Sequence, residues 1–214
     1  LPPAEDDASR HRITIAAHPA IFGQFQEALN AFEETNPDIS ISLSLKPLTA
    51  DGARAALDSG VADIAYFHAF GPGDDIEHSH YCWSENLVLF IGAQHPLAEQ
   101  PHVDAGDLDD IQPLLPDPAN PLRPIIEHML GMAGIVWDLP AMESDQLFNV
   151  MTAVQKGAGY FPAFGPTARD FGKMPGVRRI AFAGLLPQVE IRQALRADED
   201  PDSLTASLAD YLRR

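Results

Sequence analysis

Between residues 13 and 67 the chain alternates runs suited to a strand with runs suited to a helix, and that order restricts the available folds more than any other feature. Ile13-Thr14-Ile15-Ala16-Ala17 clusters β-branched residues and predicts a short buried strand. His18-Pro19 breaks it and opens a helix whose Phe22, Phe25, Leu29 and Phe32 recur at spacings of three and four. Asn36-Pro37-Asp38 stops that helix, because proline disfavours helical geometry in the residue before it. Ile39-Ser40-Ile41-Ser42-Leu43-Ser44-Leu45 alternates strictly, as a strand with one covered face should. Thr49-Ala50-Asp51 starts a second helix with Ala53, Ala56 and Leu57 on its apolar face. Gly60 ends it, and Ile64-Ala65-Tyr66-Phe67 is the third strand. Strand–helix–strand–helix–strand implies an α/β fold with a mainly parallel sheet and helices packed on it.

A second α/β stretch follows the Gly71-Pro72-Gly73 turn. Residues 76–91 read as an extended crossover whose last strand, Leu87-Val88-Leu89-Phe90-Ile91, runs into His95-Pro96-Leu97-Ala98. Residues 104–110 suit a short acidic helical turn and 113–115 a strand. Asn120-Pro121-Leu122-Arg123 predicts an N-cap with proline just inside a helix that runs to about residue 132. Residues 135–139 suit a strand. Ser144-Asp145 is expected to cap a helix carrying Leu147, Val150, Met151 and Val154 and ending at Gly157. Strands are expected at 160–164 and 179–182, a return crossover at 189–195, and a closing amphipathic helix at 203–212. Two lobes joined by two crossovers form a clamp for a ligand rather than a catalytic pocket.

Composition narrows the function. The 214 residues suffice for two lobes of about 100 residues each. No apolar run approaches the ~18 residues of a membrane span, so no membrane partner is expected. The acidic start Leu1-Pro2-Pro3-Ala4-Glu5-Asp6-Asp7 lacks the pattern of a signal peptide. The single cysteine, Cys82, excludes an internal disulfide and suits a reducing compartment, so the expected location is cytoplasmic. Net charge is −17, from 31 acidic and 14 basic side chains, and the only basic doublets are Arg178-Arg179 and Arg213-Arg214. Nucleic-acid binding neutralises phosphates with Lys and Arg, so this chain on its own should repel DNA.

Catalytic readings find no support. There is no Gly-x-Ser-x-Gly elbow, no Gly-x-Gly-x-x-Gly after the first strand and no Gly-Lys-Ser/Thr phosphate loop, and the chain reads as a non-enzyme with no cofactor. His78-x-His80-x-Cys82 is the sharpest metal pattern. In a strand, alternate side chains share a face and could converge on one ion, giving a metal- or redox-sensing alternative. The competing reading is a solvated strand face with one packed thiol. The stronger signal is positional. In open α/β sheets, ligands bind beyond the carboxyl ends of strands, where helix N-termini present unpaired N–H groups. Four such junctions are legible: His18-Pro19-Ala20, Leu48-Thr49-Ala50, Pro118-Ala119-Asn120 and Glu143-Ser144-Asp145. Ordinary helix capping is the competing reading for all four.

From about Arg12 to Leu212 the chain resembles the effector-binding domain of LysR-type transcriptional regulators. The resemblance rests on Ile13 to Ala17 leading into His18-Pro19-Ala20, Phe32 through Asn36-Pro37-Asp38, Gly60-x-x-Asp63-Ile64-Ala65, His95-Pro96-Leu97-Ala98, and Gly157-Ala158-Gly159 ahead of Pro162. It implies a type 2 periplasmic-binding-protein-like fold of two Rossmann-like subdomains joined by two crossover strands around a cleft. Residues 1–11 would be a linker remnant, 12–85 with 188–214 subdomain I, and 86–187 subdomain II. It further implies a small-molecule effector, a homodimer or homotetramer, and DNA contact only through an N-terminal winged helix-turn-helix missing from this chain. The inducer contacts carry over to His18, Pro19 and Ala20; Thr49 and Ala50; Phe67 and His68; Pro118, Ala119 and Asn120; and Ser144 with Phe161. The imidazole at His18 and the aromatic run Tyr160-Phe161-Pro162-Ala163-Phe164 favour a small aromatic or carboxylate effector. The Phe25/Leu29/Phe32 helix or the helix over 122–132 would form the dimer contact, unless both faces are intramolecular core. The rival on the same fold is an extracytoplasmic solute-binding protein.

Overall fold

A computed structural model of the chain describes residues 10–46, 49–70 and 76–213. In chain order its elements are β1 (His11–Ala17), α1 (Pro19–Thr35), β2 (Ile39–Leu45), α2 (Ala50–Asp58), β3 (Ile64–Ala69), β4 (His80–Asn86), β5 (Val88–Gly92) and β6 (Leu114–Leu115). Then come α3 (Arg123–Met132), β7 (Met142–Glu143), α4 (Leu147–Gln155), β8 (Phe161–Ala163), α5 (Gly165–Phe171), β9 (Val177–Arg179), β10 (Gln188–Leu195) and α6 (Leu204–Tyr211). The chain divides into two compact units: unit 1 is Leu1–Trp83 with Glu190–Arg214, and unit 2 is Ser84–Val189. Of the expected linker remnant, residues 1–9 lie outside the described residues, as does the Gly71-Pro72-Gly73 turn, while His11 already opens β1.

Unit 1 is built on a sheet of order β2-β1-β3-β10-β4. β1 pairs in parallel with both β2 and β3, as the alternating pattern requires, and β10 returns antiparallel to β3. Period-two alternation splits the apolar side chains between two layers. Ile13, Ile15, Ile64, Tyr66 and Ile191 join Leu29 and Phe32 of α1 and Leu208 of α6 in one cluster. Ala16, Ala65, Phe67 and Ala194 face Ala50, Ala53 and Leu57 of α2 in the other. The Phe25, Leu29 and Phe32 stripe is thus spent on this core, with Phe25 tilted against Tyr66 at 5.2 Å, and is not a free dimer face. Asp63 has a structural task. β1 and β3 begin to pair at Ile15 and Ile64, and the Asp63 carboxylate accepts from the Thr14 N–H at 2.8 Å one step before that ladder starts.

Unit 2 centres on the antiparallel sheet β8-β5-β9, with the parallel pair β6-β7 tied to it through the Pro113–Tyr160 bridge. Phe90, Val150, Val154, Phe161 and Phe171 fill its core. The His95-Pro96-Leu97-Ala98 stretch is a 3-10 turn in which His95 Nδ1 accepts from the Leu97 N–H at 3.2 Å. At Gly159 a Cβ would overlap the Gln112 carbonyl, so glycine permits the close approach that lets Leu114 N–H reach the Tyr160 carbonyl at 2.7 Å.

Three local expectations, one strand and two caps, are corrected. No strand forms over 135–139. Gly134 N–H bonds to the Gly131 carbonyl and Ile135 N–H to the Leu130 carbonyl, a Schellman closure of α3 that consumes these groups. Asn120 and Ser144 do not cap α3 and α4. The cap positions are Leu122 and Gln146, because each polar side chain bonds the N–H two residues on instead. α5 was not anticipated, since seven residues carry too little periodicity to read. Within the expected extended crossover 76–91, a turn precedes two strands, β4 and β5.

Candidate functional site

In unit 1, α1 connects β1 to β2 over one face of the sheet and α2 connects β2 to β3 over the other. The direction of winding therefore reverses between β1 and β3. Beyond the carboxyl ends of the strands at such a reversal, the connecting loops part and leave a crevice. His18 follows β1 directly, and His68, the penultimate residue of β3, lies on the α1 side of the sheet, opposite Ile191 in register. Their rings meet edge to face with centroids 6.3 Å apart. Thr49, after β2, bridges to His68 through the backbone. Its Oγ1 accepts from the Gly52 N–H at 3.3 Å, capping α2 and leaving its own hydroxyl proton available as a donor.

The electrostatics of this cluster follow from burial. His68 is only 6% exposed and His18 is half-buried. Desolvation holds the His18 imidazole below its ordinary pKa, so at neutral pH it is an uncharged ring with one donor and one acceptor nitrogen. Two imidazoles, one hydroxyl and the start of a nine-residue helix suit a small polar molecule.

The remaining expected contacts divide. Pro19 opens α1 and is exposed, Ala50 is buried under α2, and the side chain of Ala20, like Leu48, lies outside the described residues. Phe67 is fully buried in the α2-side core, since it alternates with His68 on β3. In unit 2, Asn120 and the 144–145 turn do come together. Asn120 Nδ2 donates to Asp145 Oδ1 at 2.9 Å, and the Asp117 N–H donates to the same oxygen at 3.0 Å. Pro118 and Ala119 are exposed on that loop. Phe161 is interior, its ring 4.6 Å from that of Phe171.

Arg123 was missed as an organising residue. Its Nε reaches Glu127 at 2.6 Å, and one terminal nitrogen reaches both Glu143 at 2.9 Å and the Pro116 carbonyl at 2.7 Å. Burial acts to lower its pKa, and the two carboxylates outweigh that and raise it. The Arg123–Glu127 spacing of four was legible as a helical pair, but Glu143 was not.

The metal alternative loses its premise. His78 sits in a turn with φ of 64° before β4 begins at His80, so His78, His80 and Cys82 do not alternate along one strand. Among the described residues, no group of three His, Cys, Asp or Glu side chains could hold a metal ion.

The sequence model of the LysR substrate binding domain matches residues 6–214. The chain belongs to that family. This effector-binding domain of a LysR-type regulator has the type 2 periplasmic-binding-protein-like fold. No curated protein matches it by sequence. Its structure is similar to the regulatory domain of Synechocystis PCC6803 CcmR, solved in complex with 2-PG, with a TM-score of 0.75 and 16% identity over 95% of this chain and 96% of that one. It is also similar to a full-length BenM variant, with a TM-score of 0.75 and 18% identity over 95% of this chain and 67% of that one. A third similar structure is the C-terminal domain of a probable LysR family regulator from Rhodococcus sp. RHA1, with a TM-score of 0.72 and 16% identity over 96% of this chain and all of that one. Among the described residues no helix is long and apolar enough to cross a membrane.

Proposed function

We propose that this LysR effector-binding domain recognises a small aromatic or carboxylate molecule at the switch point of the unit 1 sheet, with His18, His68 and Thr49 as its polar contacts. The observation that carries this reading is the approach of His18 to His68 across the β1–β3 reversal, with Thr49 bridged to the same residue. Asn120 and Ser144, with Pro118 and Ala119 on the first of those loops, form a separate candidate contact group within unit 2. Family membership supports regulation over transport as the use of this fold. In the full regulator, a homodimer or homotetramer, effector binding biases one conformation and changes how an N-terminal DNA-reading domain engages its operator.

The reading is tested by a thermal-shift screen of small organic acids and aromatics, followed by calorimetry on hits. His18→Ala weakens a carboxylate hit by roughly tenfold, the value of one hydrogen bond to a charged group. Because burial lowers the His18 pKa, an arriving anion restores it, and a proton is taken up on binding. Affinity for a carboxylate therefore rises as pH falls toward the ordinary histidine range. An unchanged affinity in both His18→Ala and His68→Gln removes the unit 1 cluster from the site. In the full-length protein, equal effector affinity with and without operator DNA would contradict the coupling, since linkage is reciprocal.

A further inference from the structure

Unit 2 contains a concave site that none of the effector contacts above touches. It has a volume of about 560 Å³, in the range of small-molecule sites. Leu87, Phe182, Leu185 and Leu186 supply apolar walls, and Asn86 and Arg179 supply the polar groups. Its frame is fixed by backbone hydrogen bonds. The Ile180 N–H donates to the Leu89 carbonyl at 2.8 Å, and Val103 exchanges bonds with Ala181 and Ala183 at 2.9 and 2.8 Å. On the opposite side the Leu87 N–H donates to the Pro187 carbonyl at 3.0 Å, and Gln188 Nε2 donates to Asn86 Oδ1 at 2.7 Å. Leu185, 97% exposed, stands at the rim and is an apolar side chain that water gains nothing by touching.

Arg179 decides the chemistry. It is exposed, and among the described residues no carboxylate pairs with it, although acidic side chains outnumber basic ones by 31 to 14 in this chain. Among the described residues that line the cavity, none is acidic. A guanidinium with five donors beside apolar walls suits a planar carboxylate carrying an aromatic or short aliphatic body. We propose that this cavity is a second ligand site, specific for small apolar monocarboxylates, with Arg179 binding the carboxylate and Phe182 and Leu186 covering the apolar end. Asn86, the last residue of β4, lines the site and accepts from Gln188, the first residue of β10, so an occupant touches the end of β4 directly and that of β10 through this hydrogen bond.

The test is a ¹H–¹⁵N NMR titration of the whole chain with phenylacetate, and with phenylacetamide as the neutral counterpart. A ligand of about ten non-hydrogen atoms binds an unoptimised site in the millimolar range. The expected result is saturable shifts at the amides of Leu87, Ile180 and Leu186 with phenylacetate, at least tenfold weaker with phenylacetamide. Arg179→Gln weakens phenylacetate by roughly tenfold or more. Arg178→Gln removes the same charge from the neighbouring position of β9 and changes the affinity less than about twofold. His18→Ala leaves these shifts unchanged, which separates this site from the unit 1 cluster. The proposal is overturned by equal losses in the Arg178 and Arg179 variants, by shifts confined to unit 1, or by no response at ~10 mM ligand.

Discussion

Gln193 is fully buried at the centre of unit 1, and replacing it tests whether the polar network there holds α6 to the sheet. Its Nε2 donates to Tyr66 Oη at 2.6 Å and to the Ala209 carbonyl at 3.1 Å, and its Oε1 accepts from Arg213 at 2.8 Å. Gln193→Ala removes three hydrogen bonds at about 1 kcal/mol each and leaves the buried Tyr66 hydroxyl without a partner, a further penalty of about 1–2 kcal/mol. Arg213 keeps its pairing with Asp210, so it adds little. The expected loss is about 3–5 kcal/mol, at the upper end for a single substitution. Tyr66→Phe alone costs about 1 kcal/mol, since Gln193 retains the Ala209 carbonyl. In the Gln193→Ala background, Tyr66→Phe removes the orphaned hydroxyl and recovers about 1 kcal/mol, a coupling of about 2 kcal/mol. Urea denaturation followed by Trp83 fluorescence reads the cycle, because the Trp83 ring lies 6.5 Å from Tyr66; Trp137→Phe removes the other tryptophan. Simple additivity of the two losses would refute the network as described.

Gly165 has φ of 60°, and a Cβ added there would overlap the carboxylate of the buried Glu85. Gly165→Ala should lower stability by more than the ~1 kcal/mol of backbone strain alone, and adding Glu85→Ala should return part of the loss in thermal melts. The Tyr160 hydroxyl is buried with no hydrogen-bond partner among the described residues, and burial raises its pKa. Tyr160→Phe is therefore expected to be neutral or to stabilise by up to about 2 kcal/mol, and a loss above 1 kcal/mol would reveal a partner for that oxygen. Burial pushes the Cys82 thiol up to about 11, partly opposed by Arg213 and Arg192. Alkylation of folded protein should thus be slow near neutrality and rise about tenfold per pH unit up to that value. The unfolded thiol loses its proton first as pH rises from its ordinary value, so this group's contribution to stability declines across that window; a flat alkylation rate from pH 7 to 10 would contradict the burial.

The β1 to β3 half of unit 1 was legible because every signal there is local. β-branched runs, a spacing of three and four, and Pro37 and Gly60 as stops act within a few residues, and the register of β1 on β2 follows from alternation. Unit 2 was harder. Its strands are two to five residues long, and its polar side chains bond to neighbouring backbone rather than to helix ends. The exposed Val136 and Leu139 look like strand residues until Ile135 is seen closing α3.

Sequence alone determined the α/β class, the helix starts at Pro19 and Ala50, and the candidacy of His18, Thr49 and His68, because pattern and capping are properties of contiguous residues. Tertiary structure decided which candidates meet. Alternation on β3 turned His68 toward the α1 side and sent Phe67 into the α2-side core, a choice fixed only when β10 and the two helix layers covered the sheet. It also decided that Glu143, twenty residues from Arg123, would share its charge, and that Asn86 and Leu186, a hundred apart, would wall one cavity. Such pairings depend on chain folding over long separations, and composition and spacing carry no term for them.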